Sequence, residues 1–265
     1  MEVIVDTWPN FNIIICRPDP KVSSNPIGEL DTLWTLLTLF LDLVFTSQNK
    51  RALEFMKKVT YYSMDDQILR KVLTEENAID WSTYFLIGGF DISHAPILKE
   101  VSSNRGINNR CYTAVRLLYL PDSTHLLKPA ADSELESRIS SLNLSHVDLV
   151  NKTWKFGGNK QGYRNIENLI SNFPSCCITD GQGQPLSWIL VYDYCALGLL
   201  YTLPEHRGKG YGKVLVSAMA KRLHSQGYPV YCFIEEENDT SYKLFKNLGF
   251  IEEPSYRAAW LEFNF

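Results

Sequence analysis

The stretch CALGLLYTLPEHRGKGYGKVLVSAMAKRLHSQG, residues 195–227, decides the fold. Residues 195–203 are apolar enough for a buried strand, and Tyr211 to Ser225 carries the apolar spacing of a helix. Between them lies Arg207-Gly208-Lys209-Gly210-Tyr211-Gly212. Glycines let backbone N–H groups converge where a Cβ would obstruct them. A helix start adds unpaired N–H donors and a partial positive charge. The junction therefore reads as an anion nest suited to phosphate, with Arg207, Lys209 and Lys213 adding formal charge. The same string would also serve as a plain left-handed turn carrying solvated basic side chains. It has neither the spacing of a P-loop nor the GxGxxG of a dinucleotide fingerprint.

Working outward, VYCFI (230–234) reads as a buried strand. NDTSYKLFKNLG (238–249) is a helix with Asn238 as cap and Gly249 as stop. Residues 250–263 close with one or two strands. Upstream, SHVDLVNKTWKF (145–156) is a helix capped by Ser145 or Asn143 and stopped at Gly157-Gly158, and NIENLISNF (165–173) is another that ends before Pro174. CCIT, the turn DGQG (180–183) and PLSWILVYD form a strand-turn-strand meander. In the first half, EVIVD (2–6) and FNIIIC (11–16) are strands, and residues 17–30 are a loop. Residues 31–58 hold an apolar run, Leu33 to Phe45, followed by the charged helical stretch KRALEFMKK. Residues 64–77 are a helix capped by Asp65, and residues 83–87 and 112–120 are strands. The Pro/Asp/Ser stretch at 121–134 suggests a boundary near residue 125, giving domains 1–125 and 126–265. The fold class is α+β with a mixed α/β sheet.

Composition narrows the function. The 265 residues are 45% hydrophobic and 21% charged, ordinary for a globular chain and against disorder as the main state. A net charge of −4 with no Lys/Arg run argues against a nucleic-acid partner. Six cysteines form no CxxC pair and no Cys/His metal spacing, so buried reduced thiols and no metal are expected. The Leu33–Phe45 run is too short to span a bilayer, which needs about 20 apolar residues. The first residues read as strands rather than as a signal or transit peptide.

The string Arg207-x-x-Gly210-x-Gly212 resembles the acyl-CoA pyrophosphate loop of the GNAT acyltransferase superfamily. Asn238-x-x-Ser241-x-x-Leu244-Phe245-x-x-Leu248-Gly249-Phe250 is similar to the helix and Leu-Gly-Phe exit that follow it there. A narrower resemblance rests on four segments. They are Asp6-x-Trp8-Pro9-Asn10-Phe11, Leu149-Val150-Asn151-Lys152-x-Trp154-x-Phe156-Gly157-Gly158-Asn159, Phe173-Pro174-x-Cys176-Cys177 and Tyr201-Thr202-Leu203-Pro204-Glu205-His206-Arg207. These resemble the glycine N-acyltransferase-like family, closely over 145–265 and more loosely before. The resemblance implies two GNAT-like halves, the N-terminal one truncated at its start and carrying an unmatched segment at 28–54, either an insertion or an error of the gene model.

It also implies transfer of an acyl group from acyl-CoA, as co-substrate rather than tightly bound cofactor, to the amine of glycine or a similar small amino acid. The acyl-CoA contacts implied are Leu203, Arg207, Gly208, Lys209, Gly210, Tyr211, Gly212 and Asn238. No metal, nucleic acid or membrane span is implied, and the location is mitochondrial, with cytoplasmic as the alternative. The chain departs from the family pattern at the chemistry. Ala196 stands where the family has its general-base glutamate, and Phe245 where the superfamily often has an acid tyrosine. Tyr242, Glu205 and His206 are the candidate substitutes, with Asp193 and water beside them; Cys195 is a conceivable nucleophile. General acid–base help is worth about 10²–10⁴-fold, while positioning supplies about 7–11 kcal/mol, so a missing base slows direct aminolysis without abolishing it. A non-catalytic acyl-CoA binder is the competing class, and a peptide or lysine acetyltransferase a third.

Overall fold

The computed structural model describes residues 2–5, 13–17, 58–75, 78–112, 114–126 and 133–265. The Trp8-Pro9-Asn10-Phe11 motif, the loop at 18–30, the segment 28–54 with its apolar run, and the stretch KRALEFMKK up to residue 57 lie outside the described residues.

The described chain is a mixed α/β sheet flanked by helices. In chain order the strands are β1 (Glu2–Val5), β2 (Ile13–Arg17), β3 (Lys58–Ser63), β4 (Phe85–Asp91), β5 (Asn109–Cys111) and β6 (Val115–Leu120). They continue with β7 (Ile139–Ser140), β8 (Ser175–Thr179), β9 (Pro185–Val191), β10 (Leu197–Thr202), β11 (Val230–Glu235) and β12 (Ile251–Phe263). The helices are α1 (Asp66–Thr74), α2 (Ala95–Asn104), α3 (Ser133–Ser137), α4 (Val147–Thr153), α5 (Lys160–Asn172), α6 (Tyr211–Ser225) and α7 (Asp239–Asn247). The sheet order is β1-β2-β3-β4-β12-β6-β11-β10-β9-β8-β7, with β5 paired to β12.

Local chemistry sets most boundaries. Asp65 accepts from the N–H groups of Gln67 and Ile68 and so starts α1. Asn159 accepts from Gly162 N–H, which starts α5 earlier than the apolar pattern alone suggests. The expected helix 145–156 is shorter. A single 3-10 turn capped by Asn143 leads into α4, which stops at Thr153 because Trp154 is extended (ψ 130°). Gly158 N–H then turns back onto the Asn151 carbonyl at 3.0 Å.

Two hydrophobic cores result. One packs α6, α4 and α5 on β8–β11 around Trp188, Leu215, Met219 and Phe250, and takes in Leu118 and Leu120 of β6. The other packs α1 and α2 on β2–β4 around Ile15, Leu69, Ile87 and Leu98, and takes in Ala259, Leu261 and Phe263 of β12. The last strand thus serves both. Its first part pairs with β6 (Ile251↔Tyr119, Glu252↔Leu118) and its last part with β4 (Leu261↔Ile87, Phe263↔Phe85). The register breaks between Glu252 and Arg257, where Pro254 has no N–H to give the ladder.

Long side chains also bridge the sheet face. Lys58 Nζ at the start of β3 lies 3.2 Å from Asp193 Oδ1 in the turn before β10, although four strands separate β3 from β10 in the sheet. Between them lie Gly88 of β4, Trp260 of β12 and Phe233 of β11.

Candidate functional site

The site is built around β10. Against β9 the register runs Leu197↔Val191 and Gly198↔Leu190, then jumps to Tyr201↔Trp188. One extra residue on β10 makes a β-bulge, and Leu199 within it has φ 53°. A non-glycine residue there costs about 1–3 kcal/mol and is retained where the surrounding structure over-determines it. The bulge bends β10 away from its other neighbour. β10 and β11 are parallel and register only at Leu197↔Cys232. Beyond that pair they part, while β11 stays fully paired to β6 on its far side. The gap between β10 and β11 exposes strand edges that can take an extended amide chain as an added strand would.

At the far end of β10, Leu203 N–H closes the strand onto the Leu186 carbonyl at 2.9 Å. A 3-10 turn at Pro204–His206 leads into the glycine-rich junction. Gly208 (φ 77°) and Gly210 (φ 79°) are both left-handed, as the sequence pattern requires. Gly210 heads α6 and supplies no side-chain cap, so the first N–H groups of the helix face outward with their dipole. Gly212 is less constrained: a Cβ there would make ordinary contact with Leu244 Cδ2 of α7 at 3.6 Å. Arg207 Nε donates to the Thr202 carbonyl at 3.1 Å, and its guanidinium lies 5.5 Å from the Tyr201 ring centre. Tyr211 is buried, with the His206 ring stacked beside it. Asn238 caps α7 by accepting from Ser241 N–H at 3.0 Å.

The structure therefore brings Arg207 to Gly212 together at one helix start, with Leu203 and Asn238 on the adjoining elements. Glu205 and His206 sit on the rim of the same loop. Lys209 Nζ donates to His206 Nδ1 at 3.3 Å. Both residues lie past Thr202, about 16 Å along the strand from Leu197, where the strands begin to part. Tyr242 sits on α7, its hydroxyl donating to Glu252 Oε2 at 2.8 Å and its ring 4.7 Å from the Arg116 guanidinium. That hydrogen bond raises the Tyr242 pKa and keeps the phenol protonated. Arg257 also holds Glu252, at 2.9 Å. Phe245 is buried edge-to-face against Phe250 as a core residue. Ala196 is 1% exposed, on a buried turn into β10. Cys195 is buried too, and burial pushes its thiol up to about 12, so no thiolate nucleophile forms at neutral pH.

At the near end of β10 stands a group of side chains that the sequence pattern does not single out. The Tyr192 ring lies on Gly198, so closely that a Cβ there would be 2.0 Å from Tyr192 Cε2. Tyr192 stacks on Tyr194 with ring centres 5.0 Å apart. The Tyr231 hydroxyl donates to the Tyr194 carbonyl. Phe233 stands 6.2 Å from Tyr194 and edge-on to Trp260 at 5.5 Å. Burial holds the phenols of Tyr192, Tyr194 and Tyr231 well above their ordinary pKa, so all three stay neutral. Lys58 Nζ sits 3.8 Å over the Tyr194 ring, paired to Asp193. Burial pulls the Lys58 pKa down, and the Asp193 charge and hydrogen bond oppose that. Lys58 belongs by sequence to a charged run that reads as helical; it stands instead at the start of β3, and its pairing with Asp193 is a non-local fact. Among the described residues no cluster of His, Cys, Asp or Glu is placed to hold a metal ion, and no helix is long and apolar enough to cross a membrane.

A bulged strand, its parting from a parallel neighbour and a glycine-rich helix start directly after it together make the architecture of the GNAT acyltransferases. Comparison with known proteins narrows this. Residues 44–174 match the family described as aralkyl acyl-CoA:amino acid N-acyltransferase, and residues 178–260 match FR47-like protein. Glycine N-acyltransferase of Mus musculus is 27% identical over 283 residues, covering 98% of this chain and 84% of its own. Glycine N-phenylacetyltransferase of Bos taurus is 25% identical over 274 residues, with the same coverage. A crystal structure of a Drosophila protein superposes with a TM-score of 0.65 at 21% identity, covering 78% of this chain and 71% of its own, and so shares the fold. The chain belongs to the glycine N-acyltransferase-like family.

Proposed function

We propose that this protein transfers an acyl group from acyl-CoA to the amine of glycine or a similar small amino acid by direct attack. The single pair Leu197↔Cys232, beyond which β10 and β11 part just ahead of the uncapped start of α6, carries the reading. Backbone N–H groups from Gly208 to Gly212 hold the pyrophosphate, with Arg207 and Lys209 screening its charge. The pantetheine arm lies along β10, and a β10 N–H beside the bulge faces the thioester carbonyl as an oxyanion donor. The rings of Tyr192, Tyr194 and Phe233 give the acyl end an aromatic wall, which suits an aralkyl group. The amine attacks the carbonyl carbon, the C–S bond breaks, and coenzyme A leaves as thiolate or takes a proton from Tyr242 or solvent. The amine proton passes to water or Asp193, since Ala196 cannot accept it and Glu205 and His206 stand at the pyrophosphate end of β10. A mitochondrial location carries over from the family resemblance and is tested by fractionation.

The absent base at Ala196 also favours a second reading, a non-catalytic acyl-CoA binder. Incubating the chain with benzoyl-CoA or acetyl-CoA and a panel of amino acids, with mass detection of products, separates the two. An N-acyl amino acid supports the transferase. Calorimetric CoA binding with no product supports the binder.

A further inference from the structure

The Lys58 side chain is 7% exposed, and its ammonium carries three N–H donors. Among the described residues it is hydrogen-bonded to Asp193 Oδ1 at 3.2 Å, with one further direction covered by the face of Tyr194. A buried ammonium with donors to spare is costly unless something else satisfies them. The stem is held deliberately. Gly88 has no side chain, and a Cβ there would come within 3.1 Å of Lys58 Cε and 2.9 Å of Trp260 Nε1. The position also matters. Tyr194, under the ammonium, is tied through its carbonyl to Tyr231, which precedes Cys232, the partner of Leu197 at the last pair before the strands part. Trp260, beside the Lys58 stem, stands edge-on to Phe233, the first β11 residue beyond that pair. Lys58 and Asp193 thus flank the head of the cleft, each from a different half of the chain.

We propose that the Lys58–Asp193 pair is the docking point for the acceptor, the Lys58 ammonium taking its carboxylate and Asp193 facing its amine. The inference rests on the acyltransferase reading above. An α-amino acid carries opposite charges one carbon apart, and this pair offers opposite charges 3.2 Å apart in a desolvated setting. A lysine side chain or a polypeptide N-terminus brings no carboxylate beside its amine, so free amino acids are the acceptor class this site takes.

The test is calorimetric binding of N-benzoylglycine and of N-benzoylglycinamide, which lacks the carboxylate, to the CoA-loaded protein and to Lys58→Met. Wild type should prefer the acid by about 10-fold or more, the usual worth of a charge-assisted hydrogen bond. Lys58→Met should erase that preference while CoA affinity stays the same. A pair that only staples the two halves together would lower the melting temperature and leave the acid-to-amide ratio unchanged, which overturns the proposal. Equal affinity of wild type for acid and amide overturns it without any variant, so a Lys58→Met protein that fails to fold does not shelter it. Wild type that binds no CoA overturns the transferase reading, and the docking site with it.

Discussion

Gly210→Val is the sharpest perturbation of the anion nest. Gly210 has φ 79°, and a Cβ at that position would meet nothing within 4 Å. The Cβ itself meets no crowding, so the effect is led by backbone strain. Holding an L-residue in that region costs roughly 1–2 kcal/mol, more for a β-branched one. If the loop keeps its shape, the melting temperature falls by roughly 2–8 °C for a chain of this size. If it relaxes to negative φ, the N–H groups at the start of α6 swing away from the anion. Losing one charge-assisted hydrogen bond, about 1.5–3 kcal/mol, weakens CoA binding by roughly 10–100-fold. Gly212→Ala is the matched control. Its Cβ would make ordinary contacts, 3.6 Å to Leu244 and 3.9 Å to Leu200, within a helix where alanine is favoured. Calorimetry with CoA, beside thermal unfolding, reads both variants. The expected result is intact affinity in Gly212→Ala and a weakening of at least 10-fold in folded Gly210→Val. Unchanged affinity in folded Gly210→Val with no fall in melting temperature, the sign that the loop has relaxed, refutes the nest.

Gly198→Val should displace the Tyr192 ring, cost about 1–3 kcal/mol of stability and lower acyl transfer while leaving CoA affinity intact; thermal unfolding and turnover check both halves. Ala196→Glu places a carboxylate at a 1% exposed position, where burial raises its pKa toward the working range of a base. Turnover should rise about 10-fold or more, at some loss of stability; a folded, CoA-binding variant with no gain contradicts an intact acceptor frame. Tyr242→Phe should leave CoA affinity unchanged and reduce kcat about 10-fold or more if the phenol protonates the leaving thiolate. Because the Glu252 hydrogen bond raises the Tyr242 pKa, the phenol stays a donor through neutral pH, and the loss of rate at high pH should set in above the ordinary tyrosine value and vanish in the variant.

How much was legible followed the range of the interactions. The start of α6 at Tyr211, the Asp65 and Asn238 caps and the stop at Gly249 were readable because each rests on residues within a turn of each other. The glycine loop was readable for the same reason. The shared role of β12 was not, since Leu261 pairs with Ile87 and Ile251 with Tyr119 across more than a hundred residues. The bulge at Leu199 was hidden because leucine carries no signal for a positive φ. Tyr192 looks like the end of a strand until Gly198 is seen beneath its ring. Lys58 looks like one more charge on a helix, but it stands on β3 and is buried against Asp193, far away in sequence.

The central claim is tested most directly by thiol release from benzoyl-CoA by the purified chain, with and without glycine and a panel of other small amino acids. The account predicts release that depends on one of these amino acids and saturates with it. CoA binding with no amino-acid-dependent release would contradict it, leaving an acyl-CoA binder that has lost its chemistry along with the base at Ala196.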